Sequence, residues 1–89
     1  WKGIGFQSTN VANLIEYANV SYGGASSYTG NTSQKANIIV GGNSAGVVTV
    51  ANCNITDSDN CGIYVTSASS LTESGNTFTN NASNDVCNQ

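Results

Sequence analysis

Eighty-nine residues with five carboxylates, two cations (Lys2 and Lys35) and a net charge of −3 make a small acidic chain. So few cations cannot neutralise a run of phosphates, which excludes nucleic acid as a partner, and no apolar run approaches the roughly 20 residues that cross a bilayer, so membrane insertion is not expected. Disordered segments pair low hydrophobicity with high net charge, whereas 38% of these residues are hydrophobic and the Val, Ile and aromatic side chains fall in short regular clusters, so a β-rich, turn-rich fold is expected.

In chain order, Gly3-Ile4-Gly5-Phe6 reads as a short strand with Ile4 and Phe6 on one face. A second strand-like stretch covers 14–17, and a third, Ala18-Asn19-Val20-Ser21, leads into Tyr22. After a long segment, 23–35, the succession returns as Asn37-Ile38-Ile39-Val40, then 47–50, then Ala51-Asn52-Cys53-Asn54 leading into Ile55. It returns again as Gly62-Ile63-Tyr64-Val65, 71–73 and Ser74-Gly75-Asn76-Thr77 leading into Phe78, and Asp85-Val86 begins a fourth copy. Ile4, Ile38, Ile63 and Val86 are separated by 34, 25 and 23 residues, self-similarity of the kind that marks repeat architectures. Ile55 to Ile63 and Phe78 to Val86 are eight residues each, while Tyr22 to Ile38 is sixteen, so the loop at 23–35 carries eight extra residues and the coils otherwise run 23 to 26.

This periodicity predicts an all-β chain forming one segment, 1–89, of a parallel β-helix: a solenoid of about three rungs, each of three short strands, with successive rungs about 4.8 Å apart. Ile4, Ile38, Ile63 and Val86 are expected to stack directly above one another. The Leu-x-x-Leu-x-Leu pattern of leucine-rich repeats is missing, and an antiparallel sandwich would show turns without a fixed period. A chain this short buries only roughly 60–65% of its unfolded surface, so its core is thin or continued elsewhere. The sequence also contains no Met, so a processed mature chain or a segment of something longer is expected. Neither 1–3 nor 84–89 reads as an amphipathic cap for the open strand edges of such a stack.

The repeats resemble a known group. Trp1-Lys2-Gly3-Ile4-Gly5-Phe6 followed by Tyr22-Gly23-Gly24, Asn52-Cys53-Asn54-Ile55, and Asn76-Thr77-Phe78-Thr79-Asn80-Asn81 are similar to the right-handed β-helix repeats of pectate-lyase-like secreted bacterial proteins, over nearly the whole chain. The resemblance implies a right-handed coil, which parallel crossovers also prefer, an extracellular or cell-surface location, and a polysaccharide or surface protein as partner. It implies a scaffold rather than an activity, because similar repeats occur in lyases, sugar hydrolases, adhesins and phage tail spikes.

Enzymes of that group use calcium held by acidic residues with an Arg or Lys base, or paired carboxylates. This chain has no Arg and no His; Lys2 and Lys35 each precede a first strand and read as solvated, so no catalytic residue is assigned. Asp57-Ser58-Asp59 is the one close acidic pair and a candidate calcium site with Asn54 and Asn60, but Asp is a default turn residue and a plain turn with no cofactor is the expectation. Glu16 and Glu73 fall in equivalent middle strands and read as solvent-facing. The enlarged loop interrupts the repeat and carries Tyr28, and Tyr64 alternates out of the core as Ile39 does, so both are candidate carbohydrate-binding residues, with loop pinning (Tyr28) and an interface (Tyr64) as the alternatives. Asn19 and Asn52 align, with Asn76 beside them, as an amide ladder. Four Asn-x-Ser/Thr acceptor patterns, starting at Asn19, Asn31, Asn54 and Asn81, are expected by chance in a chain this rich in Asn and Ser. Cys53 reads as a small buried hydrophobe, a bridge to Cys61 being the open alternative. The expected function is a non-catalytic extracellular module; a fragment of a lyase or hydrolase with its active site on other rungs, and a subunit stacking end to end, are the alternatives.

Overall fold

The computed structural model describes residues 1–26 and 34–89. Ten short strands follow one another: β1 (Ile4–Phe6), β2 (Leu14–Glu16), β3 (Asn19–Ser21), β4 (Ala36–Val40), β5 (Val47–Ala51), β6 (Asn54–Thr56), β7 (Cys61–Val65), β8 (Ser70–Ser74), β9 (Thr77–Thr79) and β10 (Val86–Asn88). Among the described residues there is no helix. The strands form three parallel sheets, ordered β1-β4-β7-β10, β2-β5-β8 and β3-β6-β9. Each sheet therefore gains one strand each time the chain goes round, always in the order first, second, third.

The predicted column is present. Ile4 lies opposite Ile38, Ile38 opposite Ile63 and Ile63 opposite Val86. Period-2 alternation sends Val40 and Val65 to the same side, where they join Val20, Val48, Val50, Cys53 and Ile55 in one core. The middle passage, β4 to β7, supplies most of the fully buried members, while Ile4, Phe6, Ile15, Leu71, Phe78 and Val86 from the outer passages are only partly buried. Cys53 is a core residue at 1% exposure, as its hydrophobe reading expected.

One register differs from the expectation. Val20, not Tyr22, stands in the column with Ile55 and Phe78. Tyr22 follows the strand, with φ at 63°, and is matched in the next two passages by Asp57 (φ 55°) and Asn80 (φ 57°). Apolar character made Tyr22 look like Ile55, but here a left-handed corner follows the strand and the side chain leaves the core. Val20 to Ile38 is thus eighteen residues against eight for both Ile55 to Ile63 and Phe78 to Val86, so the enlarged connection holds ten extra residues, not eight.

A second left-handed column, Tyr17 (φ 53°), Asn52 (φ 54°) and Gly75 (φ 66°), stands between the second and third sheets. One αL residue turns the chain sharply, so each passage needs only two residues between these sheets. Ladder bonds continue through both corners: the Tyr17, Asn52 and Asp57 N–H groups donate to the Ala51, Ser74 and Thr79 carbonyls at 3.2, 3.0 and 3.0 Å.

Asparagines close the turns from within. Asn37, fully buried, accepts from the Gly23 N–H (2.6 Å) and donates to the Val20 and Thr56 carbonyls (3.1 and 2.9 Å). Gly23 is required there because a Cβ would lie 2.7 Å from the Asn37 Oδ1. Asn76 accepts from the Cys53 N–H and donates to the Val50 carbonyl (2.9 and 2.8 Å), and Asn81 does the same for Ser58 and Ile55 (3.1 and 3.1 Å). Among the described residues no buried side-chain nitrogen or oxygen lacks a partner, as burial of polar groups demands.

Candidate functional site

The third sheet presents an uncharged outer surface. Asn19, Asn54 and Thr77 form one outward column and Ser21, Thr56 and Thr79 the next, flanking the inward Val20, Ile55 and Phe78. The expected amide ladder is here, but in another register: the Asn54 Nδ2 donates to the Asn19 Oδ1 at 2.8 Å, while Asn52 stands at the corner with Tyr17 and Gly75. Ladder bonding requires side chains on the same outer face, and a corner residue is not on it.

Tyr17 and Tyr22 mark the two corners of this face in the first passage, and both rings are exposed, at 77% and 69%. A bulky residue in the left-handed region is strained by on the order of 1–3 kcal/mol. Asn, Asp and Gly relieve that strain, and the other corner positions carry Asn52, Gly75, Asp57 and Asn80. The two tyrosines carry the strain without burying their rings. Beside Tyr22, the Trp1 indole N–H donates to the Ser21 carbonyl at 2.8 Å and leaves its own ring 56% exposed. Asn19, Asn54, Thr77 and Thr79 on the outer side of the sheet are exposed, so this is an open face.

The sequence singled out Tyr28 and Tyr64. Tyr28 falls outside the described residues. Tyr64 does leave the central core, since it pairs with Ile39 and Cys87 on the outer side of the first sheet, but it is only 8% exposed and belongs to a second apolar cluster with Ala36, Ile39, Cys61 and Cys87. Alternation decided which side it faces and did not decide whether that side meets water. Tyr64 therefore does not reach the outer face of the third sheet.

Asp57 and Asp59 are held in the corner after β6. Besides the Asp57 bond to Thr79, the Asp59 N–H donates to the Gly23 carbonyl at 2.9 Å, and the Ser58 hydroxyl between them accepts from the Asn60 N–H at 3.1 Å. That is the geometry of a turn, and among the described residues no three His, Cys, Asp or Glu side chains gather as metal ligands. Glu16 and Glu73 are both exposed, as expected, yet they are not equivalent: Glu16 lies opposite Ala51, whereas Glu73 lies opposite Val50, in the inward column of Ile15. Lys2 is exposed and Lys35 half-buried.

Cys61 bridges to Cys87, with Cα atoms 6.1 Å apart, and so ties β7 to β10; Cys53 stays unbridged in the core. The sequence left Cys53–Cys61 open. The structure chooses otherwise because Cys53 points inward after β5, while Cys61 and Cys87 meet on neighbouring strands of the first sheet. No protein-family model, curated protein or solved structure matches the chain.

Sequence reasoning missed Tyr17 and Tyr22 as surface residues. The available signal was a mismatch: aromatic residues stand where the following repeats carry Asn, Gly and Asp, visible once Val20 rather than Tyr22 is set in the core column.

Proposed function

We propose that the chain is a segment of a right-handed parallel β-helix of the pectate-lyase-like type, acting outside the cell as a non-catalytic surface module that contacts carbohydrate or a protein partner. The observation that carries this reading is the invariant succession of the three parallel sheets, with Ile4, Ile38, Ile63 and Val86 in register. A chain that returns to the same parallel sheet through two others coils as a solenoid, and crossovers of that kind are right-handed by strong preference. The Cys61–Cys87 bridge supports an oxidising compartment. A non-catalytic role is supported by the carboxylates: Glu16, Asp57, Asp59, Glu73 and Asp85 are spread over β2, the turn after β6, β8 and the approach to β10.

Incubating the full chain with pectate, alginate, xylan and β-glucan, while following gel retardation and sugar products together, tests this reading. Retardation without product is expected; release of unsaturated or reducing sugars would overturn it in favour of a lyase or hydrolase fragment. A thermal midpoint raised by added calcium would bring the turn of Asp57 and Asp59 into the function.

End-to-end stacking is the second reading, favoured by the partly buried Ile4 and Phe6 at one end and Leu71 and Phe78 at the other. Glu73 opposes it, because a strand laid on β8 would cover a carboxylate standing in the inward column. A sedimentation coefficient that rises with concentration would favour stacking.

A further inference from the structure

We infer that the outer face of the third sheet, framed by Tyr17 and Tyr22, is a binding platform for an extended neutral polysaccharide. This rests on the carbohydrate-contacting reading above and names its surface and ligand class.

Three observations lead to it. The rings occupy two strained corner positions without packing into the fold, and strain kept without structural return is a reason to look for function. For Tyr17 the exposure belongs to the corner and not to the end of the stack: Asn52, with strands on both sides of its passage, is also exposed, whereas Asp57, the counterpart of Tyr22, is half-buried. A neighbouring passage placed beyond β2 and β3 would leave Tyr17 facing water.

The surface between the rings selects the ligand. Its outward residues are amides and hydroxyls, and the Asn19–Asn54 pair keeps one amide fixed against the next. Such groups donate to and accept from sugar hydroxyls, while a phenol ring offers an apolar face to the C–H side of a pyranose and a polar edge to its hydroxyls. The tyrosines are five residues apart, a reach of at most roughly 18 Å, which suits a short run of sugar units along the strand direction. The exposure of Asn19, Asn54, Thr77 and Thr79 favours a polymer lying across the face over a small molecule, which needs an enclosing cavity. Charge favours a neutral one: Asp57 follows Tyr22 in the same corner column, the chain carries −3 overall, and an acidic polymer would meet repulsion.

The test is affinity electrophoresis of the full chain in gels containing xylan, β-glucan or pectate, comparing the wild type with a Tyr17→Asn/Tyr22→Asn double variant and a Tyr17→Phe/Tyr22→Phe double variant. Xylan or β-glucan retards the wild type, the Asn variant binds roughly tenfold or more weakly, and the Phe variant keeps most of the affinity because it keeps the rings. The thermal midpoint of the Asn variant is equal to or above that of the wild type, since Asn suits a left-handed corner. Undiminished binding by the Asn variant overturns the platform while leaving carbohydrate contact by the chain intact. A lowered midpoint in that variant makes the rings structural and also overturns it. Retardation by pectate alone overturns the neutral class, and no retardation in any gel removes carbohydrate contact and platform together.

Discussion

At the scale of single residues, the fold depends on side chains that finish backbone hydrogen bonding inside turns. Asn37 is the clearest, with one acceptor and two donor contacts that bind the end of the first passage to the second. Asn37→Ala leaves the buried Gly23 N–H without its acceptor and two carbonyls short of a donor, a loss of about 2–4 kcal/mol in urea unfolding. Asn43→Ala, at an exposed position, should change the same measurement by less than about 0.5 kcal/mol. Ile39 makes the complementary point for apolar side chains. Alternation sends it away from the central core, yet it is fully buried in the second cluster. Ile39→Ala should therefore cost about 2–4 kcal/mol, comparable with Ile38→Ala, where a solvent-facing Ile would cost little. Equal stability of the Ile39→Ala protein and the wild type would contradict that burial.

At the scale of elements, each strand is held chiefly by the strand one passage away, not by its neighbour in sequence. β10 is the extreme case: it pairs with β7 alone and is fastened there by the Cys61–Cys87 bridge. Cross-linking residues 26 apart lowers the entropy of the unfolded chain, worth about 3.5 kcal/mol on a chain-entropy estimate. The Cys61→Ser/Cys87→Ser double variant is expected to lose stability of that order in denaturant unfolding, and to lose amide protection at positions 87–89 first. A midpoint insensitive to both substitutions would mean that the ladder alone holds β10. The third-sheet strands obey the same logic by another means, since their short ladders are bounded on each side by left-handed corners whose N–H groups continue the bonding.

At the scale of the whole molecule, burial is concentrated in the middle passage, where β4 and β7 are buried along their full length, and it thins toward both ends. Native-state hydrogen exchange should rank accordingly. Amides of β4, β5, β6 and β7 exchange most slowly, and those of β2, β3, β8 and β9 exchange faster, as expected when each passage contacts only its neighbours. Uniform protection across all ten strands would contradict this gradient.

Much of this was legible in the sequence, and the reason is physical. Period-2 alternation and a recurring spacing of apolar residues express the requirement that inward side chains stack in a shared core, so the column of Ile4, Ile38, Ile63 and Val86, the three-strand passage and the enlarged connection could all be read from residue order. The register of Val20, the exposure of Tyr17 and Tyr22, the burial of Tyr64 and the choice of Cys87 as the partner of Cys61 could not. Each depends on where a backbone corner turns left-handed or on which side chains meet across neighbouring strands. Those are relations between distant residues, and only the assembled sheets decide them.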